Sequence, residues 1–111
     1  MKQLENREEL ELLLSQESPV ILQFGSDTCG PCHAIRQRID RWNREHSQVQ
    51  TLYIPIEKYR ALAAQWEIYS VPSLIVMIEG KVTVRQSGVF SLDQILDQTE
   101  RLLKLREEEL I

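Results

Sequence analysis

Long apolar runs are missing from this chain, and so is any excess of positive charge. No stretch approaches the roughly 20 apolar residues that a membrane-spanning helix needs. Lys and Arg number 13 against 17 Asp and Glu, a net of −4, whereas a dedicated nucleic-acid binder carries a basic face. Cysteine is reduced to two residues, Cys29 and Cys32. A bridge between them closes a tiny loop and constrains the unfolded chain little, so a scaffold held together by disulfides is excluded. With only four glycines and four prolines, there is no linker-like or low-complexity segment, and no internal repeat is visible. The first 14 residues are crowded with charge (Lys2, Glu5, Arg7, Glu8, Glu9, Glu11) and contain neither an apolar core nor a small-residue cleavage pattern. The expectation is a cytoplasmic monomer with no nucleic-acid or membrane partner.

What is present suits one compact α/β domain over residues 1–111. Apolar residues make up 42% of the chain, enough for a core without metal or covalent help. Leucines at 10, 13 and 14 predict a helix over residues 7–15. Residues 20–24 form a short apolar run containing Gln23 and closed by Gly25, as in a buried strand. Ser26 and Asp27 are candidate caps for the helix that follows, with Pro31 in its first turn. Along this helix Ile35, Ile39 and Trp42 form one buried stripe, while Arg36, Arg38, Arg41 and Arg44 read as a solvated face.

A second strand is expected over residues 49–56, with Pro55 marking its end or an unpaired edge. A helix follows over 59–68, with Trp66, like Trp42, on the core side. Residues 74–78 form an apolar strand, Glu79-Gly80 a hairpin turn, and residues 81–89 a strand with Val82 and Val84 sharing a face. Ser91 caps a last helix, and residues 106–111 read as a frayed, charged tail. The order (β)αβαβαββα puts helices on both faces of a mixed sheet.

The chemistry concentrates in Cys29-Gly30-Pro31-Cys32, between a buried strand and a helix N-terminus. Cysteines at i and i+3 on a first turn can form a reversible disulfide. Cys29 lies at the positive end of the helix dipole, which favours its thiolate as the attacking group. Cys32, deeper in the helix, is placed to resolve. Lowering a thiol pKa by about 1.5 units gains only about threefold in rate near neutrality, because nucleophilicity falls as thiolate rises. The larger benefit is a partner thiol held in place, which makes the second step intramolecular.

Two rival readings use the same residues. Cys29 to His33 also matches C-x-x-C-H, a haem-attachment pattern, but haem attachment requires an export route, and Met77 falls in a buried strand pattern. A zinc site would recruit Cys29, Cys32, His33 and His46. His46 lies about 20 Å from His33 along one helix, too far for ligands that must converge to about 2.3 Å. No metal and no organic cofactor is expected; the redox group is the dithiol itself.

Taken with the residues around it, the Cys-Gly-Pro-Cys site resembles the thioredoxin family over nearly the whole chain. The matching features are the strand before the site, Val71-Pro72 before the apolar strand, Glu79-Gly80, and Gly88 before the last helix. The resemblance implies a thioredoxin fold, a central mixed sheet of four to five strands with helices on both faces. It implies a thiol–disulfide oxidoreductase that reduces disulfide-containing proteins and takes electrons from a thioredoxin reductase. By the same likeness Gly30 and Pro31 shape the site, and Pro72 is a cis proline lying against the disulfide, discouraging metal capture. Val71, Gly88 and Val89, with Thr28, form the docking surface. Three positions depart from the family: Thr28 replaces a tryptophan, Gln23 a buried aspartate, and Tyr53 its lysine partner. These departures keep open an alternative, a redox-sensing or binding module serving one dedicated partner.

Overall fold

The computed structural model describes residues 1–109. In chain order the elements are β1 (Lys2–Gln3), α1 (Arg7–Ser15), β2 (Val20–Gly25), α2 (Gly30–Arg44), β3 (Gln50–Pro55), α3 (Arg60–Gln65), β4 (Ser73–Ile78), β5 (Lys81–Ser87) and α4 (Leu92–Glu109). The strands form one mixed sheet in the order β1-β3-β2-β4-β5. β1, β3 and β2 run parallel, and β4 and β5 are antiparallel to their neighbours. This is the thioredoxin fold.

Strand alternation sends successive side chains to opposite faces, and two cores result. Leu22, Phe24, Leu52, Ile54 and Ile75 pack with Leu10 of α1 and Leu62 and Ala63 of α3. On the other face Ile21, Leu74, Val76 and Val84 pack with Ile39 and Trp42 of α2 and with Ile95, Leu96 and Leu103 of α4. Gln23 and Tyr53 share this second face and are register partners on adjacent strands. Every residue of β2 is buried, which accounts for its nearly continuous apolar sequence.

Four expectations need correction. Cys29 itself, rather than Ser26 or Asp27, is the N-cap of α2; its Sγ accepts the backbone N–H of Cys32 at 3.2 Å. Val82 and Val84 do not share a face, because the register slips between Val76 and Met77. Thr83 is the extra residue of this bulge, so Val82 pairs with Met77 and stays exposed while Val84 is buried. The charged segment from 106 does not fray at its start. α4 continues to Glu109, with Arg106 Nε donating to Glu79 Oε1 at 3.1 Å; the last two residues of that segment lie outside the described residues. Finally, Arg36 is not on a solvated face, as described below.

Two glycines meet specific backbone demands. Gly80 (φ 76°) follows Glu79 (φ 55°), and the left-handed pair turns the β4–β5 hairpin. Gly25, at the end of β2, lies against the ring of Tyr53: a Cβ there would fall 2.7 Å from two ring carbons and closer still to the hydroxyl. Gly25→Ala is therefore expected to destabilise the fold by about 1–3 kcal/mol, an overpacking cost. In a Tyr53→Ala background the same substitution should cost much less. Urea unfolding of the four proteins checks this, and strictly additive losses would contradict it.

Candidate active site

The site forms where four strands end together. β2 and β3 run in register to Gly25 and Pro55, and Ile56 N donates to Gly25 O at 2.9 Å. β4 begins beside them, with Ser73 paired to Phe24 on one side and to Ser87, near the end of β5, on the other. The chain leaving β2 and the chain entering β4 thus emerge at the same end of the sheet. Pro55 ends β3, and because β1 pairs only at Leu52 and Tyr53, the side of Pro55 facing away from β2 has no strand partner.

Cys29 and Cys32 are joined as a disulfide, with their Cα atoms 5.3 Å apart. Cys29 is half-buried, and Cys32 is only 1% exposed. A turn from Ser26 delivers the first cysteine, Cys29 N donating to Ser26 O at 3.1 Å. Pro31 occupies the first turn of α2, where no backbone hydrogen bond is lost, and Gly30 faces open space.

Next to Cys29 in the chain, Thr28 is exposed and contacts Ser26 Oγ. The Val71-Pro72 peptide is cis, with Val71 half-buried and Pro72 buried. Gly88 N donates to Pro72 O at 2.9 Å, tying the β5–α4 loop to the proline loop. Val89, beside it, is fully exposed. Tyr69, 81% exposed and two residues before Val71, was not singled out in the sequence. An apolar residue flanking a break such as Ser70-Val71-Pro72 is the signal that would have found it.

Beneath the disulfide lies Gln23, wholly buried, its Nε2 donating to the backbone carbonyl of Cys32 at 2.8 Å. Its Oε1 meets no hydrogen-bond donor among the described residues. Tyr53 stands next to it, 5% exposed, and the Arg36 guanidinium caps its ring at 4.3 Å from the centroid. A cleft of about 530 Å³ opens beside the pair, lined by Asp27, Cys29, Cys32, His33, Arg36 and Tyr53 among others.

His46 does not reach this site. It stacks on Trp42 at 4.0 Å, and its Nε2 lies 3.4 Å from Glu100. Trp42 is buried and Trp66 packs at the edge of the other core. Among the described residues no cluster of three or more His, Cys, Asp or Glu is arranged to hold a metal, and no helix is long and apolar enough to cross a membrane.

A dithiol that can close and reopen at a helix N-terminus, with one sulfur accessible and the other sheltered, defines a thiol–disulfide oxidoreductase site. The thioredoxin family model matches residues 2–101. A thioredoxin-like protein of Synechocystis, slr0233, is 30% identical over 91 residues, 81% of this chain and 87% of that protein. Chloroplastic thioredoxin Y of Oryza sativa is 29% identical over 96 residues, 86% of this chain but 57% of the rice protein. Among solved structures, oxidised thioredoxin O2 of Arabidopsis thaliana superposes with a TM-score of 0.81 at 21% identity, covering 91% of this chain and 92% of that one. The chain belongs to the thioredoxin family and is a thiol–disulfide oxidoreductase.

Burial pushes the Tyr53 phenol above its ordinary value; the Arg36 charge pulls it back, and Glu57 and Asp27 push it further up. The folded protein thus prefers neutral Tyr53, while the unfolded chain ionises it near pH 10. Its contribution to stability is complete below about pH 10 and is lost as pH rises through the higher folded value. Urea unfolding above pH 10 should lose stability less steeply in Tyr53→Phe than in the parent; equal alkaline slopes would contradict this.

Proposed function

We propose that this oxidoreductase works as a protein-disulfide reductase in which Cys29 attacks and Cys32 resolves. The observation that carries the assignment of roles is the asymmetry of the pair: Cys29 is half-buried at the helix cap, and Cys32 is sealed behind it. In the reduced protein the Cys29 thiolate attacks one sulfur of a substrate disulfide. A Cys29–substrate disulfide forms, and the other substrate sulfur leaves as a thiolate that takes up a proton. Cys32, as thiolate, then attacks Cys29 Sγ. The intramolecular disulfide forms, and the second substrate sulfur leaves and is protonated. Two electrons have passed to the substrate, and the dithiol has become the disulfide.

We assign the docking of an extended substrate chain to Thr28, Val71, Gly88 and Val89, with Gly30, Pro31 and Pro72 shaping the approach. The missing tryptophan at Thr28 leaves this surface flatter and less apolar than is usual in the family. Gln23 and Tyr53 hold the places of the buried acid and its lysine, and neither supplies a negative charge to take the Cys32 proton near neutrality. We assign the natural substrates to disulfide-containing proteins, the electron donor to a thioredoxin reductase, and the setting to a reducing cytoplasm in which the chain works as a monomer.

The second reading, a dedicated redox-sensing or binding module, is favoured by Thr28 and Gln23, since a module serving one partner needs neither the usual aromatic docking surface nor rapid resolution. NADPH-coupled reduction of a generic protein disulfide by thioredoxin reductase separates the two. The reductase reading predicts turnover that Cys29→Ser abolishes. Cys32→Ser should instead accumulate a mixed disulfide at Cys29, seen by non-reducing mass spectrometry. A mixed disulfide trapped at Cys32 in Cys29→Ser, or no turnover in the parent, would contradict the assignment.

A further inference from the structure

Arg36 lies four residues beyond Cys32 on α2, and residues at i and i+4 share a helix face with about 6 Å between their Cβ atoms. Two contacts hold its guanidinium over the site. Its Cζ sits 4.3 Å from the Tyr53 ring centroid, and its Nη2 donates to Met1 O at 2.8 Å. Neither partner carries a negative charge. Among the described residues no carboxylate lies within ion-pairing distance of Arg36, whereas Arg38 and Arg106 each have one. The arginine is thus fixed by a π face and a carbonyl, which orient the charge without neutralising it.

Other groups around Cys32 leave this charge without a close rival. From β2, Gln23 is neutral and donates to the Cys32 carbonyl. From β3, Tyr53 is kept neutral by its burial. His33 is exposed on α2; Asp27 is exposed in the cleft, and Glu57, which accepts from Asp27 N, is exposed beside it, so water screens both carboxylates. The Met1 amino group is paired with Asp40. Arg36 is the half-buried formal charge lining the cleft that Cys32 shares.

We propose that Arg36 is a positioning residue for the resolving step, its charge favouring the Cys32 thiolate in the reduced protein where a buried carboxylate is absent. This rests on Cys32 being the resolving cysteine. Instead of a base removing the Cys32 proton at the moment of attack, the thiolate is already populated, and its proton has passed to solvent through the cleft. Cys32 then attacks Cys29 Sγ as described, with the substrate thiolate as leaving group. A nearby opposite charge lowers a thiol's pKa, and across a partly solvated cleft such an effect is about one pH unit.

The test titrates Cys32 alone, in the Cys29→Ser background, by thiolate absorbance near 240 nm in the otherwise intact chain. Arg36→Gln should raise the Cys32 midpoint by about one pH unit, leaving about tenfold less thiolate well below the midpoint. Arg36→Lys should keep the midpoint within a few tenths of a unit of the parent. In the protein with both cysteines, Arg36→Gln should slow single-turnover resolution of a Cys29 mixed disulfide severalfold at pH 7, with the deficit closing at high pH. An unmoved midpoint overturns the proposal, and so does Arg36→Lys shifting as far as Arg36→Gln, since the arginine would then act by shape. If instead Cys32→Ser fails to trap a mixed disulfide at Cys29, the assignment of Cys32 fails whatever the titration shows.

Discussion

The first turn of α2 is held from two directions at once. Cys29 Sγ accepts the backbone N–H of Cys32 from within the turn, and the buried amide of Gln23 donates to the Cys32 carbonyl from the strand below. A helix N-terminus carries N–H groups with no partner of their own, and here a sulfur occupies the capping position usually filled by an oxygen. The redox pair and the helix cap are therefore one structure. The wholly buried β2 supports it, and the cores on both faces of the sheet fix the strand that carries Gln23.

Gln23 and Tyr53 explain how such a site is supported without buried charges. A buried acid and its lysine bring a desolvation penalty that only good mutual geometry offsets. The glutamine and tyrosine avoid it: one spends its amide on the backbone of the resolving cysteine, and the other buries its ring against Gly25. The positive charge has moved to the helix surface, where Arg36 covers the tyrosine and borders the cleft. Proton handling is accordingly transferred from a buried side chain to an exposed cleft and a nearby cation.

Much of this was legible in the sequence because local signals and tertiary demands agree. Cys29-Gly30-Pro31-Cys32 after an apolar strand marks a strand-to-helix junction, and Glu79-Gly80 turns the hairpin through two left-handed residues. The cis peptide before Pro72 came from family likeness, not from local signals. What escaped depends on contacts distant in sequence. The ordinary preference for oxygen caps pointed to Ser26 and Asp27, yet the cap is a sulfur. The bulge at Thr83 reverses strand parity in a way no alternation pattern reveals. Arg36 looked like one of several surface arginines because its partners, Tyr53 and Met1, come from elsewhere in the chain. The end of α4 looked like a loose charged tail because its anchor, Glu79, lies in the hairpin turn.

The Cys29–Cys32 dithiol gives its electrons to other disulfides, and its midpoint potential tests that most directly. About 30 mV changes the equilibrium tenfold for this two-electron couple, so equilibration with glutathione buffers resolves the direction sharply. The expected value lies below about −220 mV, at or beneath the poise of a glutathione-reduced compartment. A value near about −120 mV, that of a strong dithiol oxidant, would contradict it.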